Sequence, residues 1–121
     1  MIPVLDGPRQ NAAIVAKHDP RTCPECMALF EPVDRGQLFC SAVHRRAWNN
    51  RWTVRGARLA TLAIVARTTR NGSRGSGKFA WRASRDADTL IRRWQREDES
   101  AGRMPLIEYN DWRYRLGFDP I

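Results

Sequence analysis

Three cysteines and one histidine, gathered in the stretch from Cys23 to Trp52, have the types and the spacing to hold a metal ion. Cys23 and Cys26 form a CxxC pair, thirteen residues follow, and Cys40 and His44 form a CxxxH pair. Thiolate and imidazole are donors that zinc prefers, and four of them complete a tetrahedral structural site. Cysteines two residues apart can wrap a tight knuckle whose backbone amides point at both sulfurs. Residues four apart lie on one face of a helix, so a helix beginning near Cys40 presents its sulfur and the His44 ring to the same ion. The expected cofactor is one structural Zn2+ on Cys23, Cys26, Cys40 and His44. Two rival chemistries fit less well. An odd cysteine count argues against a disulfide framework. A redox CxxC opens a helix after a strand, whereas Pro24 and Glu25 lie between the turn-like HDPRT and a hairpin.

The elements that would position these donors follow from the intervening residues. Pro32, Asp34 and Gly36 are turn formers flanked by Leu29, Phe30, Leu38 and Phe39, which reads as a short hairpin. A knuckle, a hairpin and a helix supplying the last two ligands make a treble clef. The expected fold class is therefore mainly α with a small β-hairpin (α+β), a treble-clef zinc finger followed by a helical extension. The residues FCSxxH at 39 to 44, followed by Arg45, resemble the FCSxxC end of small bacterial treble-clef zinc proteins, of which the DNA gyrase inhibitor YacG family is the nearest named one. The resemblance spans about thirty residues, with His44 where that family has cysteine and a shorter gap between the pairs. It implies the fold and carries over Cys23, Cys26, Cys40 and His44 as ligands, and nothing else. The chain as a whole also resembles small zinc-finger proteins of bacteria and their phages.

A chain of 121 residues has room for one domain. We expect an irregular N-terminal arm over 1–22, the zinc module over 23–55, and a helical extension over 56–121 packed on it. A core this small gains much from a structural metal, worth roughly 10–16 kcal/mol in isolated fingers. The first eleven residues lack the basic start of a secretory signal, and the most apolar window, 57–66, contains Arg58. No membrane partner is expected, and a reducing, cytoplasmic setting is. His18, beside Asp19 and Pro20, reads as a turn residue and not as a ligand.

Past Ser41 the pattern turns helical. Trp48, Trp52, Leu59 and Leu62 form a stripe at offsets zero, four, eleven and fourteen. Gly56 predicts a kink or short break, with a helix resuming to about Arg70 and an apolar face of Leu59, Leu62, Ala63 and Ala66. The stretch NGSRGSGK at 71 to 78 matches GxxxxGK, but Phe79 replaces the magnesium-binding hydroxyl, so it reads as a flexible basic connector and no nucleotide is expected. A further helix is predicted to start between Phe79 and Ser84, with Ser84 as its cap, and to reach Ser100. Ala87, Leu90, Ile91 and Trp94 share its apolar face, and Glu97, Asp98 and Glu99 read as a solvated end. Gly102 closes it, Pro105 suits the first turn of a last helix, and Leu106, Ile107, Trp112, Tyr114 and Leu116 give that helix apolar surface.

Charge constrains function most. Residues 35 to 85 contain twelve Arg or Lys and no Asp or Glu, within a chain of net charge +8. Solvated helix faces usually alternate signs, and this segment does not, so a polyanion is the expected partner. Arg51, Arg55 and Arg58 would form a stripe on the first helix beside Arg45 and Arg46, with Arg67, Arg70, Arg74 and Lys78 extending the basic surface. Guanidinium groups pair with phosphates bidentately and release counterions, giving sequence-independent affinity. Asn49 or Asn50 could read adenine in a major groove. The expected function is nucleic-acid binding, to DNA ahead of RNA, in a regulatory or phage-host role. The alternative is a protein-binding inhibitor or adaptor with an acidic partner, using an exposed patch around Trp81, Trp94 or Trp112 to block a host enzyme such as a topoisomerase. No enzymatic activity is expected: the four donors leave no open coordination position, and no catalytic carboxylate pair stands out.

Overall fold

A computed structural model describes residues 19–69 and 77–118. Two short strands, β1 (Arg21–Thr22) and β2 (Leu29–Phe30), precede three helices, α1 (Ala42–Thr69), α2 (Gly77–Ser100) and α3 (Leu106–Arg115). The chain is mainly helical with a two-stranded antiparallel hairpin, in the register Arg21↔Phe30 and Thr22↔Leu29. No helix among the described residues is long and apolar enough to cross a membrane.

The hairpin is not where the sequence suggested. It brackets the Cys23–Cys26 knuckle instead of joining Leu29–Phe30 to Leu38–Phe39, and it claims Arg21 and Thr22 from the expected irregular arm. Side chains explain why the second half of that predicted hairpin is not a strand. The buried Arg21 guanidinium donates to the carbonyls of Arg35 and Gln37, and Gln37 Nε2 donates to the Phe39 carbonyl at 2.9 Å. These acceptors are satisfied without a ladder. Asp34 Oδ1 takes the Gly36 amide at 2.8 Å, closing the turn, and Leu38 and Phe39 are left to fill the core.

α1 starts at a side-chain cap: Ser41 Oγ accepts the His44 amide at 3.2 Å, and the Ser41 carbonyl accepts the Arg45 amide. The helix then runs 28 residues without the break expected at Gly56. Gly56 sits on the exposed side, where an added Cβ would meet nothing within 4 Å, and its flanking turns keep the ladder intact. α2 likewise starts earlier than predicted, at Gly77, so Ser84 is an exposed mid-helix residue and not a cap. Its inner face is Ala83, Ala87, Leu90, Trp94 and Asp98, at the three- and four-residue intervals of an amphipathic helix.

The C-terminal part of α2 lies beside the N-terminal half of α1, with Trp52 and Trp94 edge to face at 6.3 Å and Arg55 bonded to Asp98. Their neighbour α3 closes an aromatic core. Trp48 packs 4.9 Å from Tyr109 and 5.9 Å from Phe39, with Leu38, Met104 and Cys23 filling around them. Both helix ends that approach this core finish in the same way. Gly102, at φ 71°, and Gly117, at φ 85°, take the left-handed conformation that lets the next residue's amide reach back to Asp98 and Arg113. Pro105 stands one position before α3 as its cap residue, and the Tyr109 amide donates to its carbonyl at 3.0 Å.

Candidate metal centre

The two donor pairs arrive from opposite directions. Cys23 and Cys26 come from the tight turn between β1 and β2, where the Cys23 amide donates to the Ala28 carbonyl and the Met27 amide to the Cys23 carbonyl. Met27 takes φ 63° to complete the turn. Pro24, wholly buried, ties the knuckle to the chain before α3 by accepting the Met104 amide at 2.9 Å. Cys40 precedes the Ser41 cap and His44 lies in the first turn of α1. Both face the knuckle.

All four donor atoms lie within 4.8 Å of one another. Cys26 Sγ is 3.8 Å from Cys40 Sγ, and His44 Nδ1 is 3.1 Å from Cys40 Sγ and 3.9 Å from Cys23 Sγ. Two sulfurs bonded at about 2.3 Å to one tetrahedral ion stand about 3.8 Å apart, so the cluster has the size of a four-coordinate site. The imidazole presents Nδ1 to the group. No disulfide forms: all three cysteines are free.

The electrostatics favour a thiolate at the buried end. Burial pushes the Cys23 thiol up, but backbone amides of Cys40, Cys26 and Glu25, together with the His44 ring, outweigh it and bring it down to about 7. Cys40 is pushed up to about 11, by burial and by the neighbouring Cys23 and Cys26 sulfurs. A thiolate at Cys23 thus disfavours a second one at Cys40, and a cation bound between them would relieve that repulsion.

No protein-family profile, curated protein or solved structure matches the chain. The site is therefore read from its own chemistry. Cys23, Cys26, Cys40 and His44 can hold a metal ion.

Two further residues support the centre, and sequence reasoning missed their role. Glu25, inside the CPEC knuckle, receives both Arg51 guanidinium nitrogens at 2.8 Å. Arg51 lies seven residues after His44, two helical turns along the same face, so the pair clamps the knuckle onto α1. The helical period counted from His44 was the signal that could have found it.

The expected basic stripe is placed differently from the prediction. Arg51 is spent on Glu25. Arg55 is buried, 4% exposed, and donates to Asp98 Oδ2 at 2.9 Å and Glu97 Oε1 at 3.0 Å. Asp98, 6% exposed, also accepts from Arg103 at 2.8 Å, so it is not the solvated helix end the sequence suggested. The Arg55 guanidinium lies against two indoles, 4.7 Å from the Trp52 ring and 5.5 Å from that of Trp94. Arg45, Arg46, Arg58 and Arg67 are exposed on α1. Arg70 and Arg74 lie outside the described residues, as do His18 and most of the 71–78 connector; Lys78 falls in the first turn of α2. Of the tryptophans expected in an exposed patch, Trp81 is 59% exposed, Trp94 is buried and Trp112 is half-buried against the core.

Proposed function

We propose that the chain is a zinc-stabilised nucleic-acid-binding protein that acts on DNA, with a regulatory or phage-host role. Three thiolates and an imidazole are a soft donor set, and such sets select zinc among the common divalent ions. When bound, zinc neutralises the clustered thiolates and cross-links the knuckle to the start of α1. On this reading the four donors make a closed structural site of treble-clef type, and no catalytic step is assigned to it. Glu25 and Arg51 hold the same two elements together from outside the donor set.

The observation that carries the reading is the surface of α1. Arg45, Arg46, Arg58 and Arg67 are exposed and make no ion pair among the described residues, in a segment that supplies no acid of its own. A rigid helix bearing uncompensated guanidinium groups suits a phosphate backbone. The test is titration of a labelled DNA duplex with the zinc-loaded protein at about 50 and about 200 mM salt; with six or more phosphate contacts, affinity falls by about a thousandfold. Absence of binding at the lower salt contradicts the reading.

A second reading, a protein-binding inhibitor or adaptor, is favoured by one observation. An apolar groove of about 780 Å³ runs between the three helices past Trp52, Leu59, Ile91, Leu106 and Ile107, and Ile107 is 72% exposed. Salt-resistant capture of a partner that Ile107→Glu abolishes, with DNA binding unaltered, would select it.

A further inference from the structure

The larger of the inter-helix grooves is lined by arginine from both sides. About 1090 Å³ of open space lies between Arg51, Val54 and Arg58 on α1 and Arg93, Arg96 and Glu97 on α2, over a floor of Arg55 and Trp94 and with Arg103 at one end. Six arginines therefore face one groove. Three acids compensate part of this charge: Glu25 holds Arg51, while Glu97 and Asp98 hold Arg55 and Arg103. Arg58, Arg93 and Arg96 remain exposed and without an ion pair among the described residues.

This arrangement has a direction. Arg58 stands on one wall and Arg93 and Arg96 on the other, so their charges converge on the space between the helices and raise its potential. The nearby acids, Glu97 and Asp98, are already engaged with Arg55 and Arg103. The walls cannot move apart freely, since Arg55, packed against Trp52 and Trp94 and bonded to Asp98, pins α1 to α2. What lies open between the walls is a preorganised anion site with three unmatched cations.

We propose that this groove binds the phosphodiester backbone of a nucleic acid, with successive phosphates taken between Arg58 and the Arg93/Arg96 pair. The proposal rests on the nucleic-acid reading above and relocates its main contact surface from the metal-proximal Arg45 and Arg46 to the α1–α2 hairpin. With Arg58, Arg93 and Arg96 on phosphates, and no amide side chain among the remaining lining residues Val54, Ser100 and Ala101, the contact is independent of sequence. Asn49 and Asn50 are not part of it.

The test uses the zinc-loaded 121-residue chain and a labelled oligonucleotide, as duplex and as single strand of equal length, titrated over a series of salt concentrations. Arg58→Gln/Arg93→Gln/Arg96→Gln is compared with Arg45→Gln/Arg46→Gln/Arg67→Gln, both checked for native circular dichroism. Losing three phosphate contacts lowers the slope of log K against log salt by about 2.7 on duplex or about 2.1 on single strands, and on duplex makes the weakening between about 50 and 200 mM salt about 40-fold smaller. The form of nucleic acid on which this drop appears identifies the groove's ligand. If the native protein binds and the groove variant keeps its slope while the Arg45/Arg46/Arg67 variant loses it, the groove is overturned and the nucleic-acid reading stands. If the native protein binds neither oligonucleotide at the lowest salt, both fall. Binding to poly-glutamate but to neither oligonucleotide also overturns both, in favour of an acidic protein partner.

Discussion

Arg55 donates to Asp98, 43 residues further along the sequence, at 2.9 Å, with both side chains buried and the guanidinium against two indole rings. A charge pair in that position joins the helix that starts at the metal centre to the helix that ends beside it. Asp98→Ala leaves the buried Arg55 guanidinium only the largely exposed Glu97, whereas Arg55→Met leaves Asp98 its bond from Arg103. We expect Asp98→Ala to cost about 3 kcal/mol and Arg55→Met less. The double variant should cost much less than the sum, because neither charge is then stranded; Arg103, half-buried, can turn to water. Denaturant unfolding of the four proteins of this cycle measures the coupling, and additive losses would show that the pair contributes little.

The Asp98 site also depends on a backbone turn. Gly102 at φ 71° lets the Arg103 amide return to the Asp98 carbonyl at 2.9 Å, which aims the Arg103 side chain at Oδ1 of the same residue. An added Cβ would meet nothing within 4 Å, so Gly102→Ala carries only the conformational penalty, about 1–2 kcal/mol. An unchanged melting temperature would refute this account of the turn.

Glu25 links stability to acid. The Arg51 guanidinium beside it holds its carboxyl below the ordinary value of 4.5, against the opposing effect of burial. A carboxyl whose folded value is depressed stabilises the protein above its unfolded value, and that contribution is lost as the pH falls through the depressed one. Glu25→Gln should thus be less stable than the native protein by a constant margin, about 1–2 kcal/mol, from about pH 5.5 upward. The margin should close as the pH falls below about 4.5. Acid also protonates the cysteines, but this affects both proteins alike, so the difference in unfolding free energy is the readout. A margin that widens on acidification would contradict the assignment.

The four clustered donors were legible in the sequence because their chemistry is carried by residue type and short spacing. CxxC and CxxxH are local patterns, and the fold has only to bring two short pieces together. The hairpin was placed wrongly because Pro32, Asp34 and Gly36 do form a turn, yet the ladder expected beyond it at Leu38–Phe39 is replaced by bonds from the Arg21 and Gln37 side chains, Arg21 being a non-local partner. Arg55 was read as surface for a different reason. It occupies offset seven in the stripe Trp48, Trp52, Leu59, Leu62, the one gap in that apolar series, and Asp98 occupies the position four beyond Trp94 in the stripe of α2. Charges that interrupt two facing stripes mark a buried pair. Composition alone, which counts Arg55 among twelve basic residues, hides that distinction.

The centre's contribution to folding can be separated from that of the core. Cys40 is the donor that joins the two pairs, 3.8 Å from Cys26 and 3.1 Å from His44. Cys40→Ser should release the ion and unfold the 21–44 region while α1 and α2 retain helical signal through Trp48, Trp52 and Trp94. Circular dichroism with tryptophan fluorescence reports both, and a variant that keeps the native spectra would remove the centre from its organising place.

The most direct measurement for the proposed zinc site is the metal content of the purified protein and the coordination of any ion it holds. Protein purified without added metal should carry one zinc per chain, and X-ray absorption at the zinc edge should resolve three sulfurs at about 2.3 Å and one nitrogen at about 2.0 Å. Zinc well below one equivalent, or a shell dominated by oxygen and nitrogen, would contradict the account.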